Sequence, residues 1–114
     1  MQLDYELIRS KVRRSLDRVV PGTYTALEFH LSRVLGVDNP VKVLCEEPRR
    51  FYDALAKIIA PYGGEEGVDI FLKTFIMVIV PEDIGASIGF IIKAIKDNDK
   101  ETMMELCSKI AGEE

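Results

Sequence analysis

The side chains best able to do chemistry in this 114-residue chain are one histidine, two cysteines and several pairs of adjacent carboxylates. His30, Cys45 and Cys107 are too few and too far apart in sequence to match the ligand spacing of a zinc site. A Ser-His-acid arrangement would need His30, which lies beside Leu27 and Leu31 on the predicted inward side of a helix. We therefore interpret His30 as a partly buried histidine and expect no enzyme activity, no catalytic residues, no metal and no cofactor.

Paired carboxylates can act as acid and base, or hold a divalent cation through their oxygen atoms. The pairs here are Glu46 and Glu47, Glu65 and Glu66, and Glu82 and Asp83. Each lies near a predicted helix start, where negative charge interacts favourably with the helix dipole. We interpret all of them as structural. Residues 61–67, PYGGEEG, lack the Lys-Ser/Thr ending of a phosphate-binding loop and are interpreted as a turn.

The cysteine pattern and the N-terminal sequence both predict a cytoplasmic protein. Cys45 and Cys107 are expected to be buried free thiols that pack as small hydrophobic residues. A disulfide between them is expected only if the source is hyperthermophilic. The N-terminal segment mixes acidic and basic residues without the apolar centre of a secretory signal. The longest apolar stretch, residues 70–80, is shorter than the ~20 residues needed to cross a bilayer, so no membrane association is expected.

A net charge of -4 disfavours sequence-independent binding to nucleic acid, because such binding depends on neutralising phosphates. The first predicted helix nevertheless concentrates basic side chains, namely Arg9, Lys11, Arg13, Arg14 and Arg18. A solvated helix face is the favoured interpretation. Contact with an acidic partner surface and contact with nucleic acid remain as alternatives.

Apolar residues recur at three- and four-residue spacing along most of the chain, which is typical of amphipathic helices. Proline and glycine interrupt this pattern at Pro21-Gly22, Gly36, Pro48, Pro61 to Gly64 and Pro81. The sequence therefore predicts an all-α protein, a single compact orthogonal bundle of about six or seven short helices spanning residues 1–114. The apolar run 75–80 could also form a buried strand, although its continuity with the polar stripe of Asp69 and Lys73 favours a helix.

A helix beginning at Pro81 would carry Gly85 and Gly89 on one face, a spacing that lets another backbone approach closely. We therefore expect self-association, in the simplest case as a dimer, or docking of a protein partner. The leading candidate residues are Gly85, Ile88, Gly89 and Ile92, with Phe75 and Val78 secondary. The alternative is a regulator that binds a small molecule in an apolar pocket lined by Tyr24, His30, Phe51 and Phe71.

Part of the chain resembles the archaeal Nitrosopumilus output domain family. The residues that carry the resemblance are Ala26 to Leu31, Leu35-Gly36, Glu47 to Leu55, Ile58-Ile59 and the break at Pro61 to Gly64. The resemblance implies a small all-helical domain that acts, alone or attached to sensor or DNA-binding modules, in archaeal regulatory proteins. It implies no catalytic residues. The predicted helix pair from Pro81 to Ala111 departs from the family pattern and could cap the core or form a dimer contact.

Overall fold

The computed structural model describes residues 3–81 and 85–112. Six helices and no strands occur within these ranges, so the all-α prediction is confirmed. The helices are α1 (Tyr5–Val19), α2 (Thr23–Leu35), α3 (Pro40–Glu46), α4 (Pro48–Ile79), α5 (Ile88–Lys96) and α6 (Lys100–Ala111). Residues 75–79 are helical, as the polar stripe on the same segment indicated.

Proline, glycine and short polar side chains set most of the helix boundaries. The Asp4 carboxylate accepts a hydrogen bond from the Leu7 amide and caps α1. Gly36 ends α2 in the left-handed conformation, with φ 70°, as its position predicted. Pro48 stands in the first turn of α4, where its missing amide hydrogen has no intrahelical partner.

Helix α4 is a helical hairpin, because its backbone leaves the helical conformation at Gly64 (φ 65°, ψ -168°). We call residues 48–63 the first arm and residues 65–79 the second arm. The arms pack against each other: the Tyr52 hydroxyl donates to the Asp69 carboxylate at 3.2 Å, and the Phe51 and Phe75 ring centroids lie 5.9 Å apart. The predicted break at residues 61–64 is therefore confirmed as a sharp reversal.

One hydrophobic core joins all six helices, and α4 contacts each of the other five. Side chains from every helix are almost fully buried in it, including Ile8, Leu31, Leu44, Leu55, Leu72, Ile95 and Met103. In the described part of the chain, every helix is too short or too polar to span a membrane.

A disulfide between Cys45 and Cys107 ties α3 to α6, with the two Cα atoms 6.1 Å apart. The predicted burial is confirmed, since the two residues are 0% and 1% exposed, but the prediction of free thiols is wrong. Helices α3 and α6 pack directly against each other although 62 residues separate the cysteines. The spacing of the two cysteines in the sequence does not predict this contact between α3 and α6.

The start of α5 also differs from the prediction. Helix α5 begins at Ile88, and the Ser87 hydroxyl caps it by accepting a hydrogen bond from the Phe90 amide. Residues 82–84, including the carboxylate pair Glu82 and Asp83, lie outside the described residues. Gly85 precedes the helix with φ 79°, so Gly85 and Gly89 do not share a helix face.

Candidate functional site

An apolar cavity of about 150 Å³ lies where the end of α1, the start of α2 and the second arm of α4 meet. We call this site the apolar groove. Apart from Thr23 and Thr74, its lining side chains are all apolar. The lining residues are Leu16, Val19, Val20, Thr23, Leu27, Phe71, Thr74, Phe75 and Val78.

The corner between α1 and α2 leaves this groove uncovered. Helix α1 ends at Val19, and Gly22 adopts φ 86° just before α2 begins. Because the chain turns away here, Val19 and Val20 stay 64% and 57% exposed. Across the groove, Phe71 is half-buried with its ring centroid 6.5 Å from that of Phe75. The groove therefore has a packed aromatic floor and an exposed aliphatic rim.

The second arm of α4 extends the apolar surface beyond the groove. Ile70 and Met77 are 66% and 57% exposed, about two helical turns apart on one face of this arm. Thr74 lies between them on that face and lines the groove. A protein surface that gathers exposed apolar side chains in one region is typical of an interaction site.

A second groove with basic side chains adjoins the apolar groove at Val78, which lines both. We call it the basic groove; its volume is about 420 Å³. It is lined by Lys11, Arg14, Ser15 and Arg18 of α1, by residues 77–81, and by Ile110. The ammonium group of Lys11 donates to the Ala111 carbonyl at 3.0 Å, at the end of α6. Among the residues that the structure describes, no carboxylate lines this groove. Within the described residues, the joined surface is lined by apolar side chains at one end and by Lys11, Arg14 and Arg18 at the other.

The five basic residues singled out on α1 divide into two groups. Arg9 donates to both carboxylate oxygens of Glu28, and its guanidinium also lies 3.2 Å from the Glu6 carboxylate. Arg13 lies 4.0 Å from the Glu28 carboxylate and over the ring of Tyr24, 5.3 Å from its centroid. Arg9 and Arg13 therefore hold α1 against α2, whereas Lys11, Arg14 and Arg18 form the basic groove.

The four residues predicted to line a ligand pocket do not meet in one cavity. Tyr24 and Phe51 are core residues, 2% and 1% exposed. His30 is exposed, with its ring edge-on to that of Phe29 at 5.4 Å, so the interpretation of a partly buried histidine is wrong. Phe71 alone of the four lines the apolar groove.

The residues predicted for self-association are also spread over different environments. Phe75 is only 4% exposed, and both Phe75 and Val78 contribute to the apolar groove. On α5, Ile88 and Ile92 are half-buried against the core, while Gly89 is exposed. Gly85 is exposed in the segment before α5.

Sequence reasoning missed the rim of the groove. Val19 and Val20 directly precede Pro21-Gly22, so the helix ends before they can be buried in the core. Ile70 and Met77 are seven residues apart, on the side of the second arm away from the buried residues Leu72 and Ile76. In the sequence, the seven-residue spacing of Ile70 and Met77 was the signal that could have indicated an apolar helix face turned towards solvent.

Comparisons with family models, curated proteins and solved structures do not change this assignment. Nothing in the three comparisons matches the chain. Residues 3–81 and 85–112 contain no group of three His, Cys, Asp or Glu side chains that could hold a metal ion. The fold and site together define an all-α helical protein with an apolar groove and a basic edge, and the resemblance to the Nitrosopumilus output domain stays a prediction.

Proposed function

We propose that this protein is a non-enzymatic interaction module that holds an apolar segment of a protein partner, or of a second copy of itself, in the apolar groove. The observation that carries the proposal is a cavity of about 150 Å³ with Val19 and Val20 exposed at its edge, next to the exposed Ile70 and Met77 on the neighbouring face of the second arm. An exposed, contiguous apolar surface is typical of a site that a binding partner covers. The cavity supplies a place for one anchoring side chain, the feature around which protein interfaces concentrate their binding energy.

The basic groove supports a choice of partner. Arg14 and Arg18 line a surface continuous with the apolar groove, so an apolar anchor flanked by acidic side chains would match both ends. Charge complementarity at the edge of an interface raises the association rate and disfavours basic partners. Phe75 and Val78, the secondary candidates for self-association, would contact the partner as part of the groove lining.

The resemblance to the archaeal family supports a regulatory or signalling role in a cytoplasm. The Cys45–Cys107 disulfide is compatible with that location when the organism is a hyperthermophile, because such organisms keep disulfides in intracellular proteins. An oxidising compartment is the alternative that the disulfide favours in other organisms.

A regulator of the small-molecule class is the second candidate, and the size of the cavity favours it. Apolar cavities of about 150 Å³ can take up a single benzene ring. The lining surface is almost wholly apolar, and the Thr74 hydroxyl donates to the Ile70 carbonyl at 3.0 Å, so a ligand of this class would itself be apolar. A small ligand and a partner side chain would then compete for the same space.

Titration with toluene, followed by NMR of methyl-labelled protein, tests whether the groove accepts an apolar group. We expect shift changes confined to the methyl groups of Val19, Val20, Leu27 and Val78. The Thr74→Glu variant places a charge at the groove and should abolish the changes. Thr25→Glu, the same change at an exposed α2 threonine outside the groove, should leave them intact. Unchanged groove methyl signals at the solubility limit of toluene would contradict the proposal.

A further inference from the structure

The tip of the α4 hairpin presents an aromatic side chain beside two carboxylates. Tyr62 is 93% exposed, the largest exposed fraction among the large apolar residues that the structure describes. Gly63 and Gly64 follow it and add no side chain that could cover its ring. Glu65 and Glu66 come next, and both are exposed. The tip therefore carries one protruding ring and a local negative charge.

The apolar groove matches a tyrosine ring in size and in chemistry. Its volume of about 150 Å³ is that of an apolar cavity able to hold one benzene ring. Tyrosine is suited to such an open site, because its ring can be buried while its hydroxyl reaches water or a polar partner. The surface that lines the groove is almost wholly apolar, since the Thr74 hydroxyl donates to the Ile70 carbonyl at 3.0 Å.

The charges on the two surfaces are also complementary. Glu65 and Glu66 flank the aromatic ring of the tip, and Arg14 and Arg18 line the basic groove that adjoins the cavity. The other two exposed phenylalanine rings protrude less and stand beside basic as well as acidic side chains. Phe29 is 57% exposed, with the guanidinium of Arg33 5.5 Å from its ring centroid. Phe90 is 55% exposed and lines a groove together with Glu105 and Lys109.

The tip does not occupy the groove of its own chain, because Tyr62 is 93% exposed. The groove lies along the second arm from Phe71, about 9 Å of helix beyond Glu65, to Val78, about 20 Å beyond it. Each molecule thus carries a tip at the start of this arm and a groove along its later part.

We infer that the occupant of the apolar groove is the Tyr62 tip of a second copy of this chain, so that copies associate head to tail. The inference rests on the proposed function, in which the groove holds an apolar segment. A two-fold dimer through the groove would place the same basic residues on both sides of the interface, whereas head-to-tail contact pairs basic with acidic side chains. Such contacts generate rings or open chains rather than stopping at a dimer.

Sedimentation velocity over a concentration series is the first test. The contact buries little more than one aromatic side chain, so we expect weak association, with the average mass rising between about 10 µM and about 1 mM. The mass should pass beyond that of a dimer. A strict monomer at about 1 mM would overturn the inference, as would association that stops at two copies.

Mixing two variants is the sharper test. Tyr62→Ser removes the ring and keeps the groove, and Thr74→Glu blocks the groove and keeps the tip. Each variant alone should be monomeric, and their equimolar mixture should form a one-to-one complex that does not grow further. Phe90→Ser, which removes a different exposed aromatic ring, is the matched control and should associate like the unchanged protein.

Charge reversal gives an independent readout. The double variant Glu65→Lys, Glu66→Lys should weaken association at least tenfold, and adding Arg14→Glu and Arg18→Glu to the same chain should restore it. Undiminished association of Tyr62→Ser, or a mixture that stays monomeric, would overturn the inference. If either of these results were found while the unchanged protein still bound toluene, the groove would accept an apolar group but the tip would not be its occupant. If the unchanged protein also failed to bind toluene, the proposed function would be overturned.

Discussion

Arg9 of α1 and Glu28 of α2 form a two-point ion pair across the interface of the two helices whose corner borders the apolar groove. The Arg9 Nε donates to one carboxylate oxygen of Glu28 at 2.9 Å, and its Nη2 donates to the other. The two side chains are 26% and 15% exposed, so water weakens this pair less than it weakens a surface pair. Burial by itself would raise the pKa of Glu28, but the guanidinium of Arg9 together with the neighbouring Tyr24 and Arg13 outweighs it, and the pKa is lowered from its usual 4.5.

Replacing Glu28 should therefore make the free energy of unfolding fall less steeply as the pH is lowered. Because the folded-state pKa is lowered, the contribution of Glu28 is fully present above about pH 4.5 and is lost as the pH falls through the lower folded-state value. We expect Glu28→Gln to reduce the free energy of unfolding at pH 7 by about 1 kcal/mol and to flatten its decline in acid. Urea unfolding between pH 2 and pH 7 measures both effects.

The control for this prediction is Glu6→Gln, which removes the other carboxylate that pairs with Arg9. The Glu6 side chain is 69% exposed, so its loss should change stability by less than about 0.5 kcal/mol. An acid dependence in Glu28→Gln equal to that of the unchanged protein would show that the pair does not couple folding to pH.

The reversal at Gly64 should be the most substitution-sensitive position in the hairpin turn. Its φ of 65° and ψ of -168° fall in a backbone region that is almost restricted to glycine. An added Cβ would have nothing within 4 Å, so the cost of Gly64→Ala is backbone strain, about 1–3 kcal/mol in urea unfolding. Gly63→Ala is the matched control, since its Cβ also meets open space without a positive φ. Equal stability of the two variants would contradict this account.

The Tyr5 hydroxyl should make stability sensitive to alkaline pH. It donates to the Glu46 carboxylate at 2.7 Å, linking α1 to α3. Partial burial and then the hydrogen bond to Glu46 raise the pKa of Tyr5 from 10.0 to about 12. The folded state therefore holds this proton more tightly, so the free energy of unfolding falls as the pH rises from about 10 to about 12.

Tyr5→Phe should make that alkaline decline less steep, as measured by urea unfolding at a series of pH values from 8 to 11.5. Part of the decline should remain, because burial also raises the pKa of Tyr24 and of Tyr52. Tyr62→Phe makes the same chemical change at a side chain that is 93% exposed and should keep the original dependence. A decline in Tyr5→Phe as steep as that of the unchanged protein would contradict the prediction.

Removal of the Cys45–Cys107 disulfide should lower stability substantially. The bond joins residues 62 positions apart, and a closed loop of that size restricts the unfolded chain. We expect Cys45→Ala with Cys107→Ala to lose about 2–4 kcal/mol in the free energy of unfolding. A reducing agent should destabilise the unchanged protein by a similar amount and leave the double variant unaffected. Equal stability with and without the reductant would contradict the prediction.

Local chemistry explains why the first four helices could be predicted from sequence. Pro21-Gly22, Gly36 and Pro48 act on the backbone within one turn, and the observed boundaries follow them. The prediction for α5 was wrong, because the rule favouring proline at a helix start pointed to Pro81. The observed helix begins at Ile88, where Ser87 provides the side-chain cap.

The candidate site could not be predicted from the sequence, because it depends on packing between helices that are far apart along the chain. The buried face of α2 is centred near Leu31 and Leu35, which turns His30 outward although it sits one turn from Leu27. The apolar groove exists because α1 stops short of covering Phe71, a packing outcome decided between segments about fifty residues apart. At α6, the Asp99 carboxylate caps the helix, whereas the amide oxygen of Asn98 accepts a hydrogen bond from the distant Arg49 amide.

The bond between Cys45 and Cys107 encloses both arms of α4 and all of α5 in a covalent ring. A protease that cuts the exposed turn at residues 62–66 would therefore sever the backbone without releasing a fragment. The nicked protein would keep its full mass on a non-reducing gel and separate into two pieces only after reduction.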